Sequence, residues 1–93
     1  MIRGFKNKVT EAVFNGRCPK SSPVQIFAVA RRKLEALDAA ERLNDLRVPP
    51  ANRLAASKKV RKGQHSIRIN DQWRICFRWT KDGPTDVEIV DYP

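Results

Sequence analysis

The side chains best suited to chemistry in this chain are its arginines and lysines, and their spacing is regular. Ser66-Ile67-Arg68-Ile69 and Trp73-Arg74-Ile75-Cys76-Phe77-Arg78-Trp79 alternate apolar and polar residues with a period of two. In a strand such alternation sends successive side chains to opposite faces. Trp73, Ile75, Phe77 and Trp79 then point into a core, and Arg74, Cys76 and Arg78 point away from it. By the same parity Ile67 and Ile69 face inward and Ser66 and Arg68 outward, while Glu88, Val90 and Tyr92 share the arginine face. Arginine presents a planar fork that grips phosphate through two hydrogen bonds, and tyrosine offers a surface on which an unpaired base can stack. Lys58-Lys59-Val60-Arg61-Lys62 lies just upstream and feeds the rim of that face. The pattern is that of an open sheet face built to bind nucleic acid, with Glu88 placed to neutralise one arginine.

The charge is concentrated in the same region. The 93 residues carry 19 Lys and Arg against 10 Asp and Glu, a formal charge of +9. Between Arg53 and Lys81, nine basic residues face one acid, Asp71, which puts +8 of that charge into 29 residues. A local excess of this kind is the electrostatic footprint of a polyanionic partner. His65 has the parity of Ile67 and Ile69, which makes it a partly buried or strand-end histidine rather than a catalytic one. With one histidine and the distant cysteines Cys18 and Cys76, no metal site with closely paired ligands can be assembled, and no cofactor is expected. Both cysteines read as free thiols in a reducing cytoplasm. No apolar run approaches the roughly 20 residues of a membrane span, and no signal peptide is evident at the start of the chain.

The elements that must position these residues follow from period and punctuation. Met1–Phe5 reads as a short strand. Val9, Ala12 and Val13 recur at helical spacing after Asn7, and Asn15-Gly16 closes that helix. A loop from Cys18 leads to Ser22-Pro23, a favourable helix start. Ile26, Ala30, Leu34 and Leu37 then form one apolar stripe, with Arg31, Arg32, Lys33 and Glu35 mostly facing elsewhere. Asp38 and Glu41 have capping-box spacing, predicting a second short helix through Leu46 that Pro49-Pro50 ends. Residues 64–69, 73–79 and 86–92 form three strands joined by turns at Asn70-Asp71-Gln72 and Lys81-Asp82-Gly83-Pro84, an antiparallel meander. The expected architecture is a single α+β domain over residues 1–93: a short N-terminal strand plus a C-terminal three-stranded meander, with helices packed on one face.

The string Gly63-Gln-His-Ser-Ile-Arg-Ile-Asn-Asp-Gln-Trp-Arg-Ile-Cys-Phe-Arg-Trp, followed by Val87-Glu-Ile-Val-Asp-Tyr, closely resembles the HigB toxins of the RelE/ParE superfamily of type II toxin–antitoxin modules. Met1-Ile-Arg-Gly-Phe-Lys and Arg47-Val-Pro-Pro-Ala-Asn-Arg-Leu are similar to that family too, so the likeness spans nearly the whole chain. It implies a cytoplasmic, ribosome-dependent mRNA endonuclease that works at the decoding site and is neutralised by a HigA-type antitoxin with a helix-turn-helix. The implied reaction is metal-free attack of a ribose 2′-hydroxyl on the adjacent phosphate. By position, the resemblance implies catalytic roles for Lys58, Arg74, Asp91 and Tyr92, with Arg74 stabilising the transition state and Tyr92 stacking on a base. Lys59, Arg61, Lys62, Arg68 and Arg78 would bind the RNA. Lys59, Arg61 and Lys62 crowd Lys58 with like charge, which favours its neutral form and hence proton transfer. Two other readings remain: a ParE-like inhibitor of DNA gyrase that catalyses nothing, and a plain RNA-binding module.

Members of this family commonly end in Asp-Tyr-His, whereas this chain reads Asp91-Tyr92-Pro93. Proline has no titratable group, which leaves three readings: Lys58 carries more of the proton transfer, cleavage is weak, or the chain is a variant made to be tolerated. Pro93→His should raise mRNA cleavage; equal cutting by the two proteins in a primer-extension assay would remove the terminal position from the reaction.

Overall fold

The computed structural model describes residues 1–20, 24–56 and 63–91. Two α-helices, α1 (Lys8–Phe14) and α2 (Phe27–Ala39), precede a four-stranded sheet of β1 (Ala55–Ala56), β2 (His65–Arg68), β3 (Trp73–Thr80) and β4 (Gly83–Asp91). Short 3-10 turns at Val24–Ile26, Leu43–Arg47 and Pro50–Asn52 join them. The strands lie in the order β1-β2-β3-β4 with every pair antiparallel, giving the α+β architecture expected.

Local chemistry sets the helix ends. Asn7 caps α1 by accepting the Thr10 N–H at 2.9 Å, and beyond Asn15 the chain turns through Gly16 at φ +86°, a conformation that suits glycine. The Ser22-Pro23 helix start lies outside the described residues. The stripe Ile26, Ala30, Leu34 and Leu37, which starts on the 3-10 turn ahead of α2 and continues along the helix, is buried as its spacing demands. The expected cap at Asp38 is corrected by the structure. Asp38 lies inside α2, and its carboxylate accepts the backbone N–H of Ile2 at 2.8 Å. The turn that follows is opened instead by Asp45, which accepts from the Glu41 and Arg42 N–H groups at 3.1 and 3.0 Å. It is a 3-10 turn rather than an α-helix. An acid followed three residues later by another acid fits either location, and the long-range bond to Ile2 decides it.

The sheet differs from the expected meander at both margins. Ala55 and Ala56 add β1 opposite Ser66 and His65, a strand too short to leave a periodic signal. The N-terminal segment runs along β4, where it makes one parallel bridge, Phe5 to Val87, rather than a full strand. Its backbone bonds include Arg3 N–H to Pro84 O at 2.7 Å and Lys6 N–H to Val87 O at 2.9 Å. β4 begins at Gly83, three residues before the expected start, and the register shifts by one between Cys76 and Arg78. Asp86 takes up the extra residue in a left-handed conformation, φ +52°. The shift keeps Val87 and Ile89 on the inner side while setting Thr85 opposite Arg78.

Phe77, Ile67, Ile75 and Val87 from the sheet meet Val13, Leu34, Leu37 and Leu46 in the core, all of them almost wholly buried. Thr10 adds a polar tie across this layer, its hydroxyl accepting the Ile89 N–H at 3.0 Å. His65 lies over Phe77 with ring centroids 6.3 Å apart, in the partly buried setting its parity predicts. Phe77→Ala should cost about 3–5 kcal/mol of unfolding free energy by urea titration. A loss below 1 kcal/mol would mean that Phe77 does not anchor the core.

Candidate nucleic-acid interface

Pairing of β2 with β3 sets Arg68 directly opposite Arg74 and Ser66 opposite Cys76; β4 adds Val90 opposite Arg74 and Glu88 opposite Cys76. Two like charges directly opposite each other across a strand pair are unfavourable unless each is otherwise held. Arg68 forms an ion pair with Asp71 of the β2–β3 turn. Arg74 is oriented by neutral oxygens: its Nε donates to Ser66 Oγ at 2.9 Å, and one terminal nitrogen donates to Arg53 O at 2.7 Å and to Ser66 O at 3.4 Å. Arg53 offers its carbonyl from a left-handed conformation, φ +46°, that a residue with a Cβ seldom adopts. Arg74 is therefore a cation with a fixed direction.

Arg78 stands further along β3, exposed, with its Nε 3.5 Å from the Asp86 carboxylate at the bulge. Its guanidinium also reaches Gly63, where a Cβ would lie 3.1 Å from Nη1. Glu88 pairs with Lys6 at 3.6 Å. The face is not open along its whole length, as alternation alone suggests. Cys76 is 0% exposed and Ser66 4% exposed, so the middle of the face is closed. Cys76 has Arg74 and Arg78 as its same-face neighbours along β3, and long arginine stems lying along a sheet withdraw small residues between them from water.

Of the residues singled out from sequence, the structure brings Arg68 and Arg74 together and sets Arg78 further along the same strand face. Asp91 pairs in register with Trp73 rather than Arg74, and its carboxylate accepts from Gln72 Nε2 at 3.0 Å. Lys58, Lys59, Arg61, Lys62 and Tyr92 lie outside the described residues, as does Pro93. Sequence reasoning gave no role to Ser66, although its outward parity was a signal, or to Arg53, which it counted only as charge. It also set Lys33 on the solvent side of α2. The structure half-buries Lys33, whose ammonium donates to Asn52 Oδ1. Burial, then Arg32 and Arg68, hold the Lys33 pKa below the ordinary lysine range. The cleft around it, about 320 Å³, is lined by Arg32, Lys33, Ala36, Pro49 and Asn52.

A family model described as the RelE-like toxin of type II toxin–antitoxin system HigB matches residues 3–92. The chain therefore belongs to the HigB-like toxins, which are RelE-like toxins of type II toxin–antitoxin systems. It is 41% identical over 80 residues to Toxin HigB-1 of Vibrio cholerae serotype O1, covering 85% of this chain and 84% of that protein. It is 27% identical over 92 residues to Endoribonuclease HigB of Proteus vulgaris, covering 99% of each. Membership of a toxin–antitoxin family implies an antitoxin partner. Among the described residues no helix is long and apolar enough to cross a membrane.

Ser66→Ala removes the oxygen that orients Arg74 Nε without altering any charge. It should lower stability by about 1 kcal/mol and weaken growth arrest on expression less than Arg74→Ala does. Full toxicity in the Ser66 variant would show that Arg74 needs no such support.

Proposed function

We propose that this toxin is an endoribonuclease that cuts mRNA on the translating ribosome, in the cytoplasm, and is neutralised by a HigA-type antitoxin. The observation that carries the reading is Arg74, a guanidinium aimed by Ser66 and by the Arg53 carbonyl on a strand face shared with Arg68 and Arg78. The Proteus vulgaris relative, named as an endoribonuclease, supports the same chemistry. In the reaction the ribose 2′-hydroxyl attacks the neighbouring phosphorus in line, and the bond to the 5′-oxygen breaks. The products are a 2′,3′-cyclic phosphate and a 5′-hydroxyl, and the proton lost by the 2′-oxygen is balanced by one gained at the leaving oxygen. A preorganised cation acts most where charge develops, which on this path is the phosphorane. Arg74 fills that role, because its orientation is set before substrate arrives.

Lys58 is the proton-transfer group in this scheme and Tyr92 the stacking surface, with Asp91 beside it in sequence. Arg68 and Arg78, together with Lys59, Arg61 and Lys62, hold the RNA backbone. Primer extension on translated mRNA should show cuts within codons, and Arg74→Ala should lower that cleavage by about 10²-fold or more. Growth arrest without cuts, accompanied by inhibition of gyrase supercoiling, would overturn the reading.

A further inference from the structure

The fixed cations do not stop at the strand face. Asn52 precedes Arg53, whose carbonyl holds Arg74, and Asn52 accepts the Lys33 ammonium across the cleft. Asn52 is only 1% exposed, and its Nδ2 donates to Leu46 O at 3.1 Å and Val48 O at 3.5 Å. The protein thus holds the amide from behind, with its oxygen turned to Lys33. An ammonium carries three N–H donors, and Asn52 takes one. Among the described residues no carboxylate pairs with Lys33 or Arg32, although acids do pair with Arg31, Arg68 and Arg78. Burial disfavours the charged form of Lys33, and the positive charges of Arg32 and Arg68 add to that effect. Like charges gathered around a partly desolvated ammonium cost stability in the empty protein, and an arriving anion relieves that cost. The cleft of about 320 Å³ has room for a phosphate group; its walls are largely apolar, from Ala36, Pro49 and side-chain stems, and its polar groups are Arg32, Lys33 and Asn52.

We propose that the cleft between α2 and the Pro50–Asn52 turn is a second phosphate-binding subsite for RNA, in which Lys33 grips the backbone next to the segment held at Arg74. This rests on the RNA reading of the Arg74 face. Continuity favours RNA over an acidic segment of a protein. Asn52, which holds Lys33, is followed directly by Arg53, whose carbonyl holds Arg74, so the two cations hang from adjacent residues and a track can lead from the candidate cleavage site to the cleft. A backbone that repeats its charge at every nucleotide fits a track, whereas a single carboxylate fits a pocket.

The test is binding of the full chain to a fluorescent single-stranded RNA of about ten nucleotides with 2′-O-methyl riboses, which block cleavage. Lys33→Gln should weaken binding about fivefold at low salt and flatten the slope of log K against log salt by about 0.7, the loss of one phosphate contact. Lys33→Arg should retain the slope. Arg32→Gln leaves the Lys33–Asn52 bond in place and should also flatten the slope, which covers the case in which Lys33→Gln disturbs folding. Arg31→Gln removes a charge from α2 outside the cleft and should keep the wild-type slope. Wild-type slopes in both Lys33→Gln and Arg32→Gln, with binding still lost in Arg74→Ala, would overturn this subsite alone. So would Lys33→Gln losing affinity for the antitoxin while keeping it for RNA. A wild-type protein that binds no RNA would overturn the reading of the Arg74 face as well.

Discussion

The register of β2 against β3 is the constraint on which both the core and the cationic face depend. With Ile67 set opposite Ile75 and Arg68 opposite Arg74, the apolar side chains of both strands reach the helices together. A slip of either strand by one residue would turn its own apolar residues to water, Ile67 in β2 or Ile75 and Phe77 in β3, and drive its arginines toward the core. The free energy of burying those three residues therefore also keeps two guanidiniums side by side. The repulsion between them is a small charge against that burial, and Asp71 and the oxygens of Ser66 and Arg53 reduce it further.

The strand face is also ordered by the turn that precedes it. Pro50–Asn52 and Arg53 form a corner with two outlets: the Arg53 carbonyl faces Arg74, and the Asn52 amide faces α2. Helix layer and sheet face, which parity alone places on opposite sides, are thus coupled through two adjacent residues. A corner of this kind can support a track of cations longer than one strand face, because Arg74 and Lys33 are anchored to backbone and amide oxygens rather than left to solvent.

Much of this was legible in the sequence. The stripe Ile26, Ala30, Leu34 and Leu37 has an unambiguous helical period, and the alternation from Trp73 to Trp79 has an unambiguous strand period. Both were visible because burial on one face leaves a periodic trace. Ala55–Ala56 left no trace, since two exposed alanines carry no pattern. Asp38 misled because an acid with capping spacing is equally suited to receiving a distant N–H. The bulge at Asp86 was hidden because it breaks the period within an otherwise regular strand. Within the candidate site, parity identified Arg68, Arg74 and Arg78, but what holds each arginine depends on turn carbonyls and strand register, which side-chain types do not encode. Lys33 was missed because helix periodicity treats a lysine beside the apolar stripe as solvated, and a buried asparagine some twenty residues later is needed to bring it in.

Asn52 sets a limit on how this surface can change over evolution. An amide is the side chain that can donate to two carbonyls and accept from an ammonium at once. An aspartate would meet the lysine but repel the carbonyls of Leu46 and Val48, and a leucine would strand all three. Loss of the lysine alone leaves a buried oxygen facing an empty cleft. Positions 33 and 52 are thus one heritable unit, and a lineage that abandons one partner must replace the other or rebuild the corner that carries Arg53.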